Sequence, residues 1–195
     1  MSGNAAIGKL SVNASSYAQN TVGSFSNWAG QRGGGVYVAS AGSLYMGYTS
    51  ASQYDNDFNG GIAYNYAGMA GGGIHNVGSV KMAGGTIKSN SATYSGGAIC
   101  QSSWFYMGGG ATIPAGTELK NNGIYLNGST MKISGFDDRP LTGSGVVATI
   151  SPNSYEARQV LDDNIKASAN RFSVFPKNGS ETWSIDSSGK LKLGS

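Results

Sequence analysis

The doubled-glycine motif Gly71-Gly72-Gly73-Ile74-His75 returns as Gly96-Gly97-Ala98-Ile99-Cys100 with closely similar surroundings. An earlier copy reads Gly33-Gly34-Gly35-Val36-Tyr37, and a degenerate copy reads Asn122-Gly123-Ile124-Tyr125. Ile74, Ile99 and Ile124 follow one another at intervals of 25 residues. A fixed period in this range is typical of stacked structural repeats, so the motif predicts a solenoid.

Each repeat also contains short apolar segments in which apolar and polar residues alternate. Examples are the pairs Val80 and Met82, Phe105 and Met107, and Met131 and Ile133. A period of two is the signature of a β-strand with one buried face, and Gly, Asn and Ser separate the segments. Three strands in about 25 residues fit one coil, in which each strand pairs in parallel with its equivalent in the next coil. We therefore predict an all-β parallel β-helix over residues 1–139.

The leucine-rich repeat is the alternative fold with a similar period. That fold requires leucines at fixed offsets and usually a helix in each unit. Leucine is scarce in this chain, and Gly-Gly-Ile occupies the recurring positions. The sequence therefore favours the β-helix.

Glycine and asparagine are predicted to shape the corners of the coils. Glycine allows a positive φ and has no side chain to collide with the next coil. Asn27 and Asn90 each stand six residues before a doubled glycine. Stacked asparagine amides can hydrogen-bond along a ladder, so we expect these residues to connect equivalent corners.

Two stretches depart from the repeat. Residues 47–70 break the spacing and are polar and aromatic, which predicts an enlarged turn that projects from the coil and carries variable contacts. From about Pro140 the repeat disappears, and residues 140–195 are predicted to form a small β-rich cap. Its expected strands lie at 148–150, 172–175, 183–185 and 190–193, whereas residues 154–169 are compatible with either helix or irregular coil.

Composition limits the classes of function. Glycine contributes 32 of 195 residues and only 12% of residues are charged. The net charge of +3 is scattered along the chain, which argues against nucleic acid as a partner. Cys100 is the single cysteine and cannot form an intramolecular disulfide, a pattern that fits a bacterial exported protein. Neither a transmembrane segment nor a signal peptide follows Met1, so we expect a mature fragment of a secreted or cell-surface protein.

The segment Ile87-Lys88-Ser89-Asn90 followed by Gly96-Gly97-Ala98-Ile99 resembles the repeat of the polymorphic outer membrane proteins, a family of bacterial surface adhesins. The wider pattern is similar to repetitive surface adhesins of spirochaetes and gut bacteria. This resemblance implies a right-handed parallel β-helix that is exported and non-enzymatic, with no cofactor. It also implies a structural or adhesive role. The expected partners are a protein or glycan on a host or neighbouring cell, or further copies of the chain.

The candidate binding residues are outward-facing aromatic residues and residues of the enlarged turn: Tyr37, Tyr45, Tyr48, Tyr54, Asp55 and Asp57. Aromatic rings on a flat sheet can stack on sugars or on a partner protein. The stretch Asp55-Asn56-Asp57 offers oxygens suited to calcium, but the spacing of an EF-hand loop is absent, so we predict a polar loop without metal.

His75 and Cys100 follow the isoleucines of their repeats. His75 is the only histidine and is predicted to be a solvated surface residue, because no second ligand or triad partner accompanies it. Cys100 is predicted to face outward or to lie in a turn, as a small hydrophobe in the stack. The alternative, a reactive thiol, needs a basic neighbour, and none is adjacent in the sequence.

Three classes of function remain: a structural or adhesive surface module, a glycan-binding module, and a polysaccharide lyase or glycosidase. Glycoside hydrolysis uses two carboxylates about 5–10 Å apart. Residues 60–117 contain no Asp or Glu, and the acidic pair Asp137-Asp138 lies beyond them. The sequence therefore favours a non-enzymatic module.

Overall fold

The computed structural model describes residues 27–50, 53–56, 58–114, 116–178 and 180–194. Strands make up 44% and helix only 4%, so the chain is nearly all β. Parallel coils about 25 residues apart stack into a β-solenoid of about five turns. The predicted fold class is confirmed.

The described residues contain short strands joined by turns. They are β1 (Trp28–Ala29), β2 (Val36–Val38), β3 (Ser43–Met46), β4 (Tyr48–Ser50), β5 (Gln53–Tyr54), β6 (Gly61–Ala63), β7 (Tyr66–Ala67), β8 (Ile74–Asn76), β9 (Ser79–Met82), β10 (Thr86–Lys88), β11 (Ser91–Ala92), β12 (Ile99–Gln101), β13 (Trp104–Met107), β14 (Ile124–Leu126), β15 (Ala148–Pro152), β16 (Phe172–Val174), β17 (Trp183–Ile185) and β18 (Leu191–Leu193). A 3₁₀ helix spans Lys166–Arg171, and no helix in the described part of the chain is long and apolar enough to cross a membrane.

Equivalent strands of successive coils form the walls of the solenoid. The largest sheet is parallel and has the order β2-β8-β12-β14-β15-β16. A second parallel sheet has the order β3-β9-β13, and two shorter parallel sheets, β6-β10 and β1-β7-β11, complete the coil. Ile74, Ile99 and Ile124 pair in register, so the 25-residue period of the sequence corresponds to one complete coil.

The core is a set of columns in which like residues stack. On the β3-β9-β13 sheet, Met46, Met82 and Met107 form one column, and all three are fully buried. The neighbouring column contains Leu44, Val80 and Phe105, also at 0% exposure. Alternation therefore places one residue in two inside and leaves the other on the outer face.

An asparagine ladder runs through the buried corner between coils. Nδ2 of Asn27 donates to Oδ1 of Asn65 at 3.0 Å, Nδ2 of Asn65 donates to Oδ1 of Asn90 at 3.0 Å, and Nδ2 of Asn90 donates to Oδ1 of Asn122 at 3.2 Å. Each acceptor oxygen also receives the backbone N–H of the preceding asparagine. The predicted ladder is confirmed, and it gains two members, Asn65 and Asn122, that were not predicted.

The doubled glycines form the next corner, as predicted. The first glycine of each motif is left-handed, with φ of 68° at Gly33, 71° at Gly71 and 63° at Gly96. At the second position, a Cβ on Gly72 would collide with the carbonyl oxygens of Ser91 and Gly97 in the next coil. The corner therefore requires glycine for two reasons, the left-handed backbone and the close approach of the next coil.

The predicted enlarged turn is shorter than residues 47–70. The departure from the coil runs from Gly47 to Gly60 and contains the antiparallel hairpin β4–β5. Residues 61–70 were assigned wrongly, because β6 and β7 pair in parallel with β10 and β11 of the next coil. We call residues 47–60 the insertion.

The solenoid does not stop at residue 139, where the sequence analysis placed its boundary. β15 and β16 extend the largest sheet in parallel, with Ile150 in register with Ile124 and Val174 in register with Ile150. These strands preserve the inward apolar positions without a doubled glycine, so the motif does not reveal them. Residues 154–165 contain no helix, and the only helical turn of the segment is the 3₁₀ helix.

The antiparallel hairpin β17–β18 ends the solenoid. Trp183 pairs with Leu193 and Ile185 pairs with Leu191, which is buried. Trp183 and Ile185 pack against the core. The N–H of Leu191 donates to the carbonyl of Arg158, and the N–H of Val160 donates to the carbonyl of Gly189, so this part of the last coil is not open to pairing with another chain.

We predict that Asn90→Ala lowers the free energy of unfolding by about 2–4 kcal/mol, because buried donors and acceptors of Asn65, Asn122 and Ile62 lose their partner. Urea unfolding measures the change. The control is Asn127→Ala. Among the described residues its exposed amide bonds only Ser102 Oγ, so its loss should cost about 0.5 kcal/mol or less. Equal effects of the two substitutions would contradict a stabilising ladder.

We also predict that Gly72→Ala destabilises the fold by about 2 kcal/mol or more, because its methyl group has no room beneath the next coil. Gly110→Ala is the matched control, since a Cβ there meets nothing within 4 Å. Thermal unfolding of both variants tests the difference. An unchanged melting temperature of Gly72→Ala relative to the wild type would show that the corner does not limit the spacing of the coils.

Candidate binding site

The outer face of the β3-β9-β13 sheet presents an aromatic surface. The strands alternate, so Trp104 and Tyr106 of β13 point outward while Phe105 and Met107 fill the core. Parallel register aligns Tyr106 with Lys81 of β9.

Lys81 stands between two tyrosine rings in one row of the sheet. Register aligns it with Tyr45 of β3 on one side and with Tyr106 on the other. Its Nζ lies 5.6 Å from the ring centroid of Tyr45 and 5.7 Å from that of Tyr106. Both distances allow cation–π attraction, which holds the ammonium group on the sheet, and Lys81 forms no ion pair with a described carboxylate.

The insertion folds back onto this face through two tyrosines. The ring of Tyr48 contacts Tyr45 at 5.3 Å and Tyr54 at 5.1 Å between centroids. Phe136, from the turn after the fourth repeat, contacts Tyr54 at 6.0 Å and Tyr106 at 5.9 Å. We call the group formed by these rings and the adjoining indole the aromatic cluster: Tyr45, Tyr48, Tyr54, Trp104, Tyr106 and Phe136.

Polar contacts hold the insertion against the same turn. The hydroxyl of Tyr54 donates to Asp138 Oδ1 at 2.7 Å. The guanidinium of Arg139 lies 4.5 Å from the Tyr54 ring centroid and donates to Asn56 Oδ1 at 2.8 Å and to the carbonyl of Ala83 at 3.0 Å. Asp138 and Arg139 therefore anchor the hairpin that completes the cluster.

Three rings lie almost parallel along one side of the cluster. Trp104 and Tyr106 are 6.4 Å apart with 19° between their planes, and Tyr106 and Phe136 are 5.9 Å apart with 23° between theirs. Trp104 is 61% exposed. The result is a row of stacked rings, which we call the aromatic strip, that is open to solvent at the Trp104 end.

A cleft of about 350 Å³ adjoins the strip. Its polar lining includes Lys81, Asp137 and Asn164, beside the rings of Tyr106 and Phe136. Asn164 is held in place, because its Nδ2 donates to the carbonyl of Gly135 at 2.8 Å and its Oδ1 accepts the Gly135 N–H at 2.8 Å. The cleft thus combines aromatic faces with fixed hydrogen-bonding groups.

The structure brings together three of the predicted site residues, Tyr45, Tyr48 and Tyr54. Tyr48 is only 7% exposed, so it supports the cluster and cannot contact a ligand as the sequence analysis expected. Asp55 is half-buried in the insertion, and its backbone N–H donates to the carbonyl of Gly47. Asp57 lies outside the described residues. Tyr37 is exposed but lies on the largest sheet, on a different face.

The described residues contain no group of three or more His, Cys, Asp or Glu side chains that could hold a metal ion. In the calcium alternative, Asn56 would be a ligand, but its Oδ1 accepts a hydrogen bond from Arg139. A cation at that amide would sit beside the guanidinium, which disfavours it.

His75 is buried and the prediction of a solvated residue is wrong. Its side chain leaves the outer face of β8 but is only 2% exposed, because the ring of Tyr37 stacks on it at 5.4 Å. Burial, and secondly the charge of Arg32, lowers the pKa of His75. Cys100 is also 2% exposed, and burial raises the pKa of its thiol to about 11. A lowered pKa of His75 and a raised pKa of Cys100 both favour the neutral side chains, whereas a reactive cysteine needs a thiolate paired with an imidazolium.

Several residues of the site were missed by sequence reasoning. Trp104 and Tyr106 occupy the outward positions equivalent to Ser79 and Lys81, so aligning the strands of the repeats could have found them. Phe136 and Asn164 carry no repeat signal, and only the packing of the later coils brings them to this face.

Comparison with known proteins adds no assignment. A scan against protein-family models finds no match, and searches of curated proteins and of solved structures find no significant match either. The candidate site therefore rests on its own geometry.

The cluster predicts a loss of stability at high pH. Burial raises the pKa of Tyr48 above its ordinary value of 10.0 and, with the bond to Asp138 as a second cause, raises that of Tyr54 to about 12. The folded protein therefore holds more protons than the unfolded chain above pH 10. The stabilisation is complete below about pH 10 and is lost as the pH rises through 12.

Chemical unfolding between pH 9 and pH 12 checks this expectation. Tyr48→Phe keeps the ring packing and removes one titrating hydroxyl, so its unfolding free energy should depend less on pH than that of the wild type. The same slope in both proteins would contradict a buried, protonated Tyr48.

Proposed function

We propose that this protein is a non-enzymatic adhesive module of the cell surface that binds glycans on the aromatic strip and its cleft. The observation that carries the proposal is the line of nearly parallel rings formed by Trp104 and Tyr106 of β13 and by Phe136 of the adjacent turn. The C–H faces of sugar rings pack on aromatic faces, while their hydroxyl groups need hydrogen-bond partners nearby.

The cleft also supports glycan binding, because it contains both hydrogen-bond donors and acceptors. Lys81 donates and the carboxylate of Asp137 accepts. The amide oxygen of Asn164 can accept a second hydrogen bond, whereas its N–H groups are already bonded to Gly135 and Asp137. Asn164 and Lys81 are already positioned by other contacts, so little side-chain entropy is lost on binding.

The same residues favour binding over cleavage. The two carboxylates of the cleft, Asp137 and Asp138, are neighbours on one turn, and Asp138 already accepts the hydroxyl of Tyr54. Hydrolysis of a glycosidic bond uses carboxylates that flank the bond from two sides. Export and an adhesive role are parts of the proposal that follow from the composition and from the sequence resemblance.

The fold also favours a lateral ligand over growth into fibres. The hairpin β17–β18 covers the last coil, and Trp183 and Ile185 pack against the core. Stacking a second copy on this end would require displacing that hairpin. The exposed outer faces of the sheets remain accessible for recognition.

The experiment is a binding screen against xylan, soluble β-glucan and galactomannan, followed by titration of each polysaccharide that binds. We expect Trp104→Ala to weaken binding by roughly tenfold or more, the effect of removing an aromatic anchor. Trp28→Ala is the matched control, because Trp28 is 73% exposed but lies on the β1-β7-β11 side. It should bind like the wild type.

Two outcomes would contradict the proposal. One is wild-type affinity in Trp104→Ala for a polysaccharide that the protein binds. The other is release of reducing or unsaturated ends from a bound polysaccharide, which would show turnover.

A further inference from the structure

A second groove lies on the outer face of the largest sheet, away from the aromatic cluster. Its floor is an outward row across neighbouring strands, in which Tyr37, His75, Cys100 and Tyr125 stand in register. Tyr37 stacks on His75 at one end of the row. The floor is therefore built by the same stacking that builds the core.

The wall of the groove is a column of corner residues. Arg32 pairs in parallel with Ala70, and Ala70 pairs with Ser95, so three equivalent corners lie one above another. The small side chains of Ala70 and Ser95 leave room beside the long side chain of Arg32, and the groove has a volume of about 210 Å³. Tyr94, next to Ser95, is 72% exposed and also lines it.

The groove carries one uncompensated positive charge. Arg32 is the only charged residue among the described residues that line it, and it forms no ion pair with any described residue. The coils beneath it contribute no acid, since residues 60–117 lack Asp and Glu. The charge of Arg32 reaches both floor residues: after burial it is the second cause that lowers the pKa of His75, and it partly offsets the burial that raises the pKa of Cys100.

His75 adds an unsatisfied polar atom to the floor. Its Nδ1 is buried and makes no hydrogen bond within the described structure. A buried polar group without a partner costs free energy, and a ligand that supplies one recovers it. The groove thus offers a guanidinium for an anion, a ring nitrogen for a hydrogen bond, and an exposed tyrosine ring.

We propose that this groove binds an acidic sugar, with Arg32 pairing with the sugar carboxylate and Tyr94 packing against the sugar ring. A guanidinium matches a carboxylate through two parallel hydrogen bonds. The choice of a sugar as carrier of the carboxylate rests on the proposed function. The preference for a carboxylate rests on the groove alone.

NMR gives a direct test, because His75 is the only histidine and its imidazole signals report on this groove. The full chain is titrated with D-glucuronate, and with D-glucose and acetate at equal ionic strength. We expect the His75 signals to shift and saturate with glucuronate. Glucose and acetate should cause at least tenfold weaker responses, because each lacks one of the two recognised groups.

Substitutions then locate the site. Arg32→Gln should weaken glucuronate binding at least tenfold, whereas Arg32→Lys, which keeps the charge without the planar fork, should retain part of it. Lys192→Gln removes one positive charge at an exposed position of β18 and should bind like the wild type. Trp104→Ala should also bind glucuronate normally, because Trp104 belongs to the other face.

The proposal is overturned if glucuronate leaves the His75 signals unchanged, if acetate binds as well as glucuronate, or if Arg32→Gln binds with wild-type affinity. The indole signals of the tryptophans separate this failure from that of the proposed function. If Trp104 responds to neutral polysaccharide and His75 does not respond to glucuronate, only the proposal for the second groove is contradicted. If His75 responds to glucuronate and Trp104 does not respond to neutral polysaccharide, only the proposed function of the aromatic strip is contradicted.

Discussion

Coils that stack directly on one another constrain every other feature of this protein. Equivalent strands lie about 4.8 Å apart, so a corner has no room for a side chain that points at the next coil. Gly72 meets this limit, since a methyl group there would strike two carbonyl oxygens. The asparagine ladder solves the companion problem, because buried polar groups at the corner need partners, and each amide binds the amide of the next coil.

Fixed corners leave the outer faces free to vary. Inward positions of the strands must be apolar, whereas outward positions in the same strands hold serine, lysine, tyrosine or tryptophan. Parallel register turns each outward position into a row across the sheet. One row places Lys81 between two tyrosines, and another places His75 beside Cys100. Both candidate sites are therefore products of the repeat. The floor of the second groove is the variable last position of the doubled-glycine motif, whereas the aromatic strip lies outside that motif.

Features with a local and periodic signal could be predicted from the sequence. The register of the isoleucines, the left-handed glycines and the ladder from Asn90 all follow from spacing along the chain. Asn65 stands six residues before Gly71, as Asn90 does before Gly96, and could also have been predicted. Asn122 directly precedes Gly123 and so lacks the six-residue spacing that marks the other asparagines of the ladder. The strands β15 and β16 were not assigned to the solenoid, since apolar alternation persists there without the doubled glycine.

The sequence by itself determined the coil, its period and the residues of its corners, because each coil interacts mainly with the equivalent residues of its neighbours. Only the tertiary structure decided which outward side chains meet. Tyr54 and Asp138 are 84 positions apart and bond only because the insertion and a later turn fold over the same sheet. His75 is buried because Tyr37 of the preceding coil stacks on it. The size and chemistry of outward side chains do not repeat from coil to coil, and the residues of the insertion and of the later turns follow no period.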